Sequence, residues 1–136
     1  MTIKYTSAIR NAMLDTITSA AGGSALLRIY DNTSPGRPAN ANTAVTTQVK
    51  LAELTCNATF AAAASGGVLT LNSITGANAL ASGTASWFRI TNSAGTVVIL
   101  DGDISTTLSD LNLSTTTIVS GQPISITSFT ITEGNG

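Results

Sequence analysis

Residues 85–102 read ASWFRITNSAGTVVILDG, and the way this stretch folds decides the architecture. Two runs of aliphatic and aromatic residues flank Asn92-Ser93-Ala94-Gly95-Thr96, which suits a type I turn closed by a left-handed glycine. The spacing predicts an antiparallel hairpin with Ile90 opposite Val98 and Phe88 opposite Leu100 on one face. Trp87 opposite Asp101, Arg89 opposite Ile99 and Thr91 opposite Val97 then form the other. Side chains alternate across a strand, so one face enters a core. The second face is almost as apolar, and it too needs a cover from the same chain, a ligand or a neighbouring protein.

Upstream and downstream the same signature repeats. Leu26 to Tyr30, Val49 to Leu54, Thr59-Phe60, Val68 to Leu71, Ser114 to Val119 and Ile124 to Thr132 are short β-forming runs bounded by Gly, Asn or Ser. Turn signals about ten residues apart, with no helical segments between strands, predict antiparallel pairing in a sandwich or barrel. Ile124 and Ile126 share one parity and Phe129 and Ile131 the other, which predicts a β-bulge near Thr127-Ser128.

Two segments depart from the strand pattern. From about residue 6 to 21, Ile9, Ala12, Met13, Ile17 and Ala20 follow helical spacing, with Asn11, Asp15 and Thr18 opposite. Thr6 or Ser7 can cap this helix, and Gly22-Gly23 can stop it. From about 31 to 44, prolines, a glycine and asparagines predict an exposed loop, long enough to suggest a role of its own. The fold class expected is mainly β: one antiparallel β-sandwich domain spanning 1–136, with one N-terminal α-helix.

Composition narrows the function. At 136 residues the chain suits one domain with one core. Charged residues make up only 10% and the net charge is −1, so there is no basic field for nucleic acid and no polybasic segment for a membrane surface. No apolar run approaches the roughly 20 residues of a spanning helix, and a soluble protein is expected. The first residues lack the apolar stretch of a secretory signal. Glycosylation is therefore not expected at Asn32, Asn57 or Asn112, although their sequence pattern fits.

Reactive chemistry is sparse. The chain has no histidine, which removes the commonest general base and metal ligand. Cys56 has no histidine to activate it and reads as a small buried residue. Asp101, Asp103 and Asp110 are weak candidates for a calcium ion, but their spacing matches no complete calcium loop. Asp101 and Asp103 with Glu53 are the weaker option of a hydrolase. No glycine-rich phosphate loop follows a strand, so no nucleotide and no other cofactor is expected. The expectation is a protein that is not an enzyme.

What remains is surface. Trp87, Arg89, Val97 and Ile99 are candidates for an interface patch, since Trp and Arg dominate protein contacts. Arg37 and Pro38 are candidates for a docking arm on the 31–44 loop. The competing reading has this strand pair inside the sandwich, or under the N-terminal helix through Ile9, Met13 and Ile17. On the interface reading, Trp87→Ala weakens association and leaves the isolated fold intact.

Three stretches together carry a family likeness: AIRNAMLDTITSAAGGSALLRIYD at 8–31, ASGTASWFRITNSAGTVVILDG at 81–102 and DLNLSTTTIVSGQPISITSFTIT at 110–132. They resemble small bacteriophage and prophage structural proteins, among them capsid cement or decoration proteins with jelly-roll-like β-sandwich folds. The resemblance lies in overall pattern and carries over no functional residue. It implies a virion protein, made in the bacterial cytoplasm, that sits on the outer capsid surface and bridges major capsid protein subunits. The partners implied are the major capsid protein or other virion proteins and a second copy of the chain, with a dimer favoured. The alternative is a tail, neck or fibre-associated structural or binding module.

Overall fold

The structure, a computed structural model, describes residues 3–133. It is mainly β with one helix, and its largest sheet is a curled, multi-stranded one. Helix α1 runs Ser7–Ala21. The Oγ1 of Thr6 accepts the Ile9 N–H at its start, and Gly22, at φ 67°, closes it by donating its N–H to the Thr18 carbonyl. Both ends fall where the capping residues predict.

The inward face of α1 is a different one from that expected. Leu14 and Ala21 are buried and Ile17 packs against the core as expected, whereas Ile9, Ala12 and Ala20 are exposed. Asn11 and Asp15, expected on the solvent side, turn toward the body. The Gly67 N–H donates to Asn11 Oδ1 at 2.9 Å and the Ala64 N–H to Asp15 Oδ1 at 2.8 Å, while Arg10 donates twice to the Glu133 carbonyl. Each polar side chain satisfies loop backbone that would otherwise lie unpaired against the helix. Relative to the expectation, the helix is turned by about one residue, roughly 100°.

Strands follow as β1 (Leu26–Tyr30), β2 (Lys50–Thr55), β3 (Val68–Thr70), β4 (Ala77–Asn78), β5 (Gly83–Thr84), β6 (Trp87–Thr91), β7 (Val98–Ser105), β8 (Leu111–Asn112), β9 (Thr117–Ile118), β10 (Pro123–Ile124) and β11 (Thr130–Thr132). The main sheet has the order β2-β1-β6-β7-β8; β10 with β4, β11 with β3 and β5 with β9 form two-stranded ladders. Every pairing is antiparallel except β7 with β8, where Ile104 meets Leu111 and Ser105 meets Asn112 in parallel. That pair departs from the wholly antiparallel expectation.

The hairpin forms around its turn, with Gly95 at φ 72° and the Asn92 side chain accepting the Thr96 and Val97 N–H groups. Its register is two residues from that expected. Arg89 pairs with Asp101, Ile90 with Leu100, Phe88 with Gly102 and Trp87 with Asp103, and the ladder shifts between Ile90 and Thr91. The extra residue on β7 at that shift is Ile99, a bulge that carries the turn without changing which face Trp87 and Phe88 occupy. A Cβ at position 102 would lie 2.5 Å from the Phe88 ring, so only glycine lets that ring cross β7.

Leu27 and Ile29 of β1, Leu51 and Leu54 of β2, and Phe88 and Ile90 of β6 point into one hydrophobic core. Leu69, Leu111, Ile118, Ile124 and Ile126 meet them, and Phe129 packs edge-on to Phe88 with ring centroids 5.4 Å apart. Ile124 and Ile126 share the core with Phe129 despite their opposite parity, as the sequence suggests. The reason is not a bulge within one strand: β10 and β11 are separate strands with different partners, and Thr127-Ser128 lies exposed between them.

Candidate functional site: the covered outer face and the open β7 groove

The face of the main sheet turned away from this core carries two cross-strand rows. One reads Glu53, Arg28, Arg89, Asp101 across β2, β1, β6 and β7; the other reads Lys50, Tyr30, Trp87, Asp103. Arg28 and Arg89 are like charges directly opposite, a destabilising pair unless each has its own counter-ion. Each does. Arg28 Nε lies 2.9 Å from Glu53, and Arg89 holds Asp101 in a two-pronged contact of 2.6 and 2.7 Å. Lys50 also reaches Glu53 at 2.9 Å.

The cover over this face is the segment 31–49 joining β1 to β2. The Trp87 indole N–H donates to the Asp31 carbonyl at 3.0 Å, and Arg89 Nη1 to the Thr43 carbonyl at 2.9 Å. Arg37 lies across the edge, 2.6 Å from Asp103 and 3.3 Å from the Asp101 carbonyl. Within the segment, Gln48 Nε2 donates to the Gly36 carbonyl and its Oε1 accepts the Thr46 N–H. The loop expected to stand out in solvent from 31 to 44 is therefore docked, although many of its side chains face water.

This placement corrects the interface patch. Trp87 is 0% exposed and Arg89 3%. The Trp87 ring stacks on Tyr30 with centroids 4.5 Å apart, and the Arg89 guanidinium carbon lies 5.6 Å from the indole centroid. Neither side chain offers surface to a partner while segment 31–49 is in place. Val97 is exposed and Ile99 half-buried; Arg37 is exposed but ion-paired, and Pro38 is half-buried. α1 does not cover the face, so that alternative is also replaced.

The carboxylates considered for chemistry are engaged with separate partners. Asp101 is committed to Arg89, Asp103 to Arg37, and Asp110 Oδ2 accepts the Asp103 N–H at 2.9 Å. Among the described residues no group of three or more metal-ligating side chains converges. Glu53 lies three strands from Asp101 in its row, about 14 Å at the usual strand spacing. That separation is too wide for a pair of carboxylates acting on one bond. Burial raises the Cys56 thiol to about 11, so it carries almost no thiolate at neutral pH.

Hydrogen bonds to Asp101 hold the Arg89 guanidinium above its ordinary value against the opposing effect of burial. Two carboxylates sit below theirs. Burial alone would raise Asp31, but the hydrogen bonds from Thr33 and Val49 outweigh it. Glu53 is lowered first by its hydrogen bond from Lys50, then by Arg28.

A depressed carboxylate stabilises the fold above its ordinary value and loses that contribution as pH falls through its folded-state value. The melting temperature should therefore be level above about pH 5 and fall below about pH 4. A double Asp31→Asn, Glu53→Gln variant should show a shallower fall in calorimetry across that range. An unchanged slope would remove both groups from the account.

A second feature escaped the sequence reading altogether. Between β7 and the segment entering β11 lies an open groove of about 590 Å³. Leu100, Asp101 and Gly102 of β7, Thr127 to Thr132, and Ser109, Asp110 and Asn112 line it, together with the buried rings of Phe88 and Phe129. Its volume is that of an ordinary ligand site. The Thr-Ser-Phe-Thr run at 127–130 was its one trace in the sequence, read there only as a change of parity.

No protein-family model, curated protein or solved structure matches the chain. The site stands on its own geometry.

Proposed function

We propose that the chain is a non-enzymatic structural protein of a bacteriophage particle, and within that class a cement or decoration protein seated on the outside of the shell. The observation that carries the reading is the commitment of its polar groups to its own fold. Arg89 with Asp101, Arg37 with Asp103, and Arg28 and Lys50 with Glu53 hold the sheet and its covering segment together. The outer surface meanwhile carries separate apolar side chains, among them Ile9, Leu80, Val97, Leu108 and Val119. Such a molecule suits contact with other proteins, and low charge favours dense packing of copies.

In this reading the main sheet and the small ladders are the two layers of a jelly-roll-like sandwich. The molecule bridges subunit seams and stabilises the assembled shell by binding that state alone. A tail or neck position is the second reading; the groove, lined by hydroxyls, an amide and two carboxylates, favours it because such a lining suits a sugar. Quantitative mass spectrometry of purified particles from the phage or prophage carrying this sequence separates the two. Copies on the order of hundreds per particle, lost together with shell resistance to heat, are the expected result. A handful per particle moves the protein to the tail, and absence from the particle overturns both.

A further inference from the structure

On the covered face every charged side chain is held by a partner from the same chain. The groove beside β7 is built the other way. The hydroxyls of Thr127, Ser128, Thr130 and Thr132 all border it, and none makes a hydrogen bond among the described residues. Asp110, also in the lining, has no cation: its Oδ2 accepts the Asp103 N–H at 2.9 Å, and its Oδ1 has no partner among the described residues. Asn112 adds a donor. The Ser109 N–H donates to Asn112 Oδ1 at 3.2 Å, which settles the orientation of the amide and leaves the Nδ2 hydrogens uncommitted.

The lining also narrows the class of ligand. Arg89 and Arg37, the two cations that reach β7, are held by Asp101 and Asp103, so an anionic ligand would find no free cation and would be repelled by Asp110. A bare metal ion would find no shell, since no three metal-ligating side chains converge among the described residues. A wholly apolar ligand would find little surface, because Phe88 and Phe129 are only 1% and 4% exposed. Half-buried Leu100 and Ile131 supply the apolar part of the lining. What fits is a neutral molecule that carries many hydroxyls around an apolar frame of C–H groups.

We propose that the groove beside β7 binds a neutral saccharide, with Asp110 accepting from sugar hydroxyls, Asn112 donating to a sugar oxygen, and Thr127, Ser128 and Thr130 completing the contacts. At about 590 Å³ the space suits a short oligosaccharide or one stretch of a longer chain. All these groups are hydrated beforehand, so each neutral bond gains little and the charge-assisted contact at Asp110 carries most of the affinity. The inference goes beyond the particle reading: the groove binds sugar whether the chain sits on a shell, on a tail or on neither, and the copy number per particle does not bear on it.

A glycan array displaying neutral and acidic oligosaccharides, probed with the full chain, tests the class; nuclear magnetic resonance titration with a retained neutral glycan tests the place. Neutral glycans should be retained over acidic ones, and amide resonances should shift at 100–102, 109–112 and 127–132. Asp110→Asn keeps an acceptor for the Asp103 N–H and Asn112→Asp keeps one for the Ser109 N–H, so both should melt as the unaltered protein does. Each should nevertheless weaken binding about tenfold or more. Should either melt lower, Thr130→Val, on an exposed position of β11, replaces it and should weaken binding about threefold or more. Free oligosaccharide should also displace the protein from an immobilised polysaccharide of the same unit.

Four results overturn the proposal: no neutral glycan retained, acidic glycans preferred, shifts confined to residues outside the groove, or binding indifferent to the variants that remain folded. Protein held by the polysaccharide and not displaced by the free unit is bound elsewhere, which overturns it too. Groove resonances that move with protein concentration and not with sugar would assign the groove to a second copy of the chain instead.

Discussion

Trp87→Ala should lower the free energy of unfolding by about 3–5 kcal/mol, as large-to-small changes in a packed interior do. Trp87 is the chain's only tryptophan, and its ring is sealed between Tyr30, Arg89 and segment 31–49. Truncation removes the stack, opens a cavity, and leaves the Asp31 carbonyl without the indole N–H. It also loosens the anchor at the first residue of the covering segment. Urea denaturation followed by circular dichroism measures the loss.

Trp87→Phe keeps a ring against Tyr30 and gives up the indole hydrogen bond and part of the volume, so about 1–2 kcal/mol is expected. In the unaltered protein, fluorescence reports the same burial: emission should be blue-shifted and resist quenching by acrylamide. A Trp87→Ala protein of unchanged stability and impaired association would restore the surface role expected from sequence and contradict the burial seen here.

That reversal shows where sequence patterns carry information and where they stop. The helix ends were legible because Thr6 and Gly22 act locally, through bonds to residues three or four positions away. The hairpin turn was legible for the same reason, through Asn92 and Gly95. The two apolar faces of β6 were legible too, since alternation needs no partner to be recognised.

The cover was not legible, because it is made by main-chain carbonyls. Asp31 and Thr43 receive Trp87 and Arg89 through their backbone oxygens, and a carbonyl has no side-chain signature. The face of α1 was misread for a related reason: Asn11 and Asp15 resemble solvent-facing residues, yet their acceptors are matched to N–H groups some fifty positions away. The hairpin register depended on the Ile99 bulge and on the opposition of Arg89 and Asp101, neither visible from turn length. The groove is the extreme case, since its lining comes from segments as far apart in the chain as Phe88 and Thr132.

The second large effect is expected at the buried ion pair. Asp101→Ala should destabilise the protein by about 3–5 kcal/mol, because it leaves the Arg89 guanidinium enclosed without its counter-ion. The side chains are only 4% and 3% exposed, so added salt should change the loss little. Replacing both partners, Arg89→Met with Asp101→Leu, removes the charge together with its counter-ion, and the loss should shrink well below that of the single change. The double-mutant cycle, completed by Arg89→Met alone and Asp101→Leu alone, measures this coupling directly. A loss under about 1 kcal/mol for Asp101→Ala would mean that water reaches Arg89 and that the cover is open in solution.

Stability is only half of what the pair does in this geometry. Arg89 joins three elements at once: its own strand β6, Asp101 on β7, and the Thr43 carbonyl of the covering segment. A Met–Leu pair fills the space but has no donor for Thr43. The apolar variant should therefore remain folded while amide exchange quickens from about residue 40 to 46, the stretch that Arg89 ties down. If exchange there stays slow, the segment is held by Arg37, Gln48 and Trp87 alone. The ion pair would then fix the β6–β7 register and nothing beyond it.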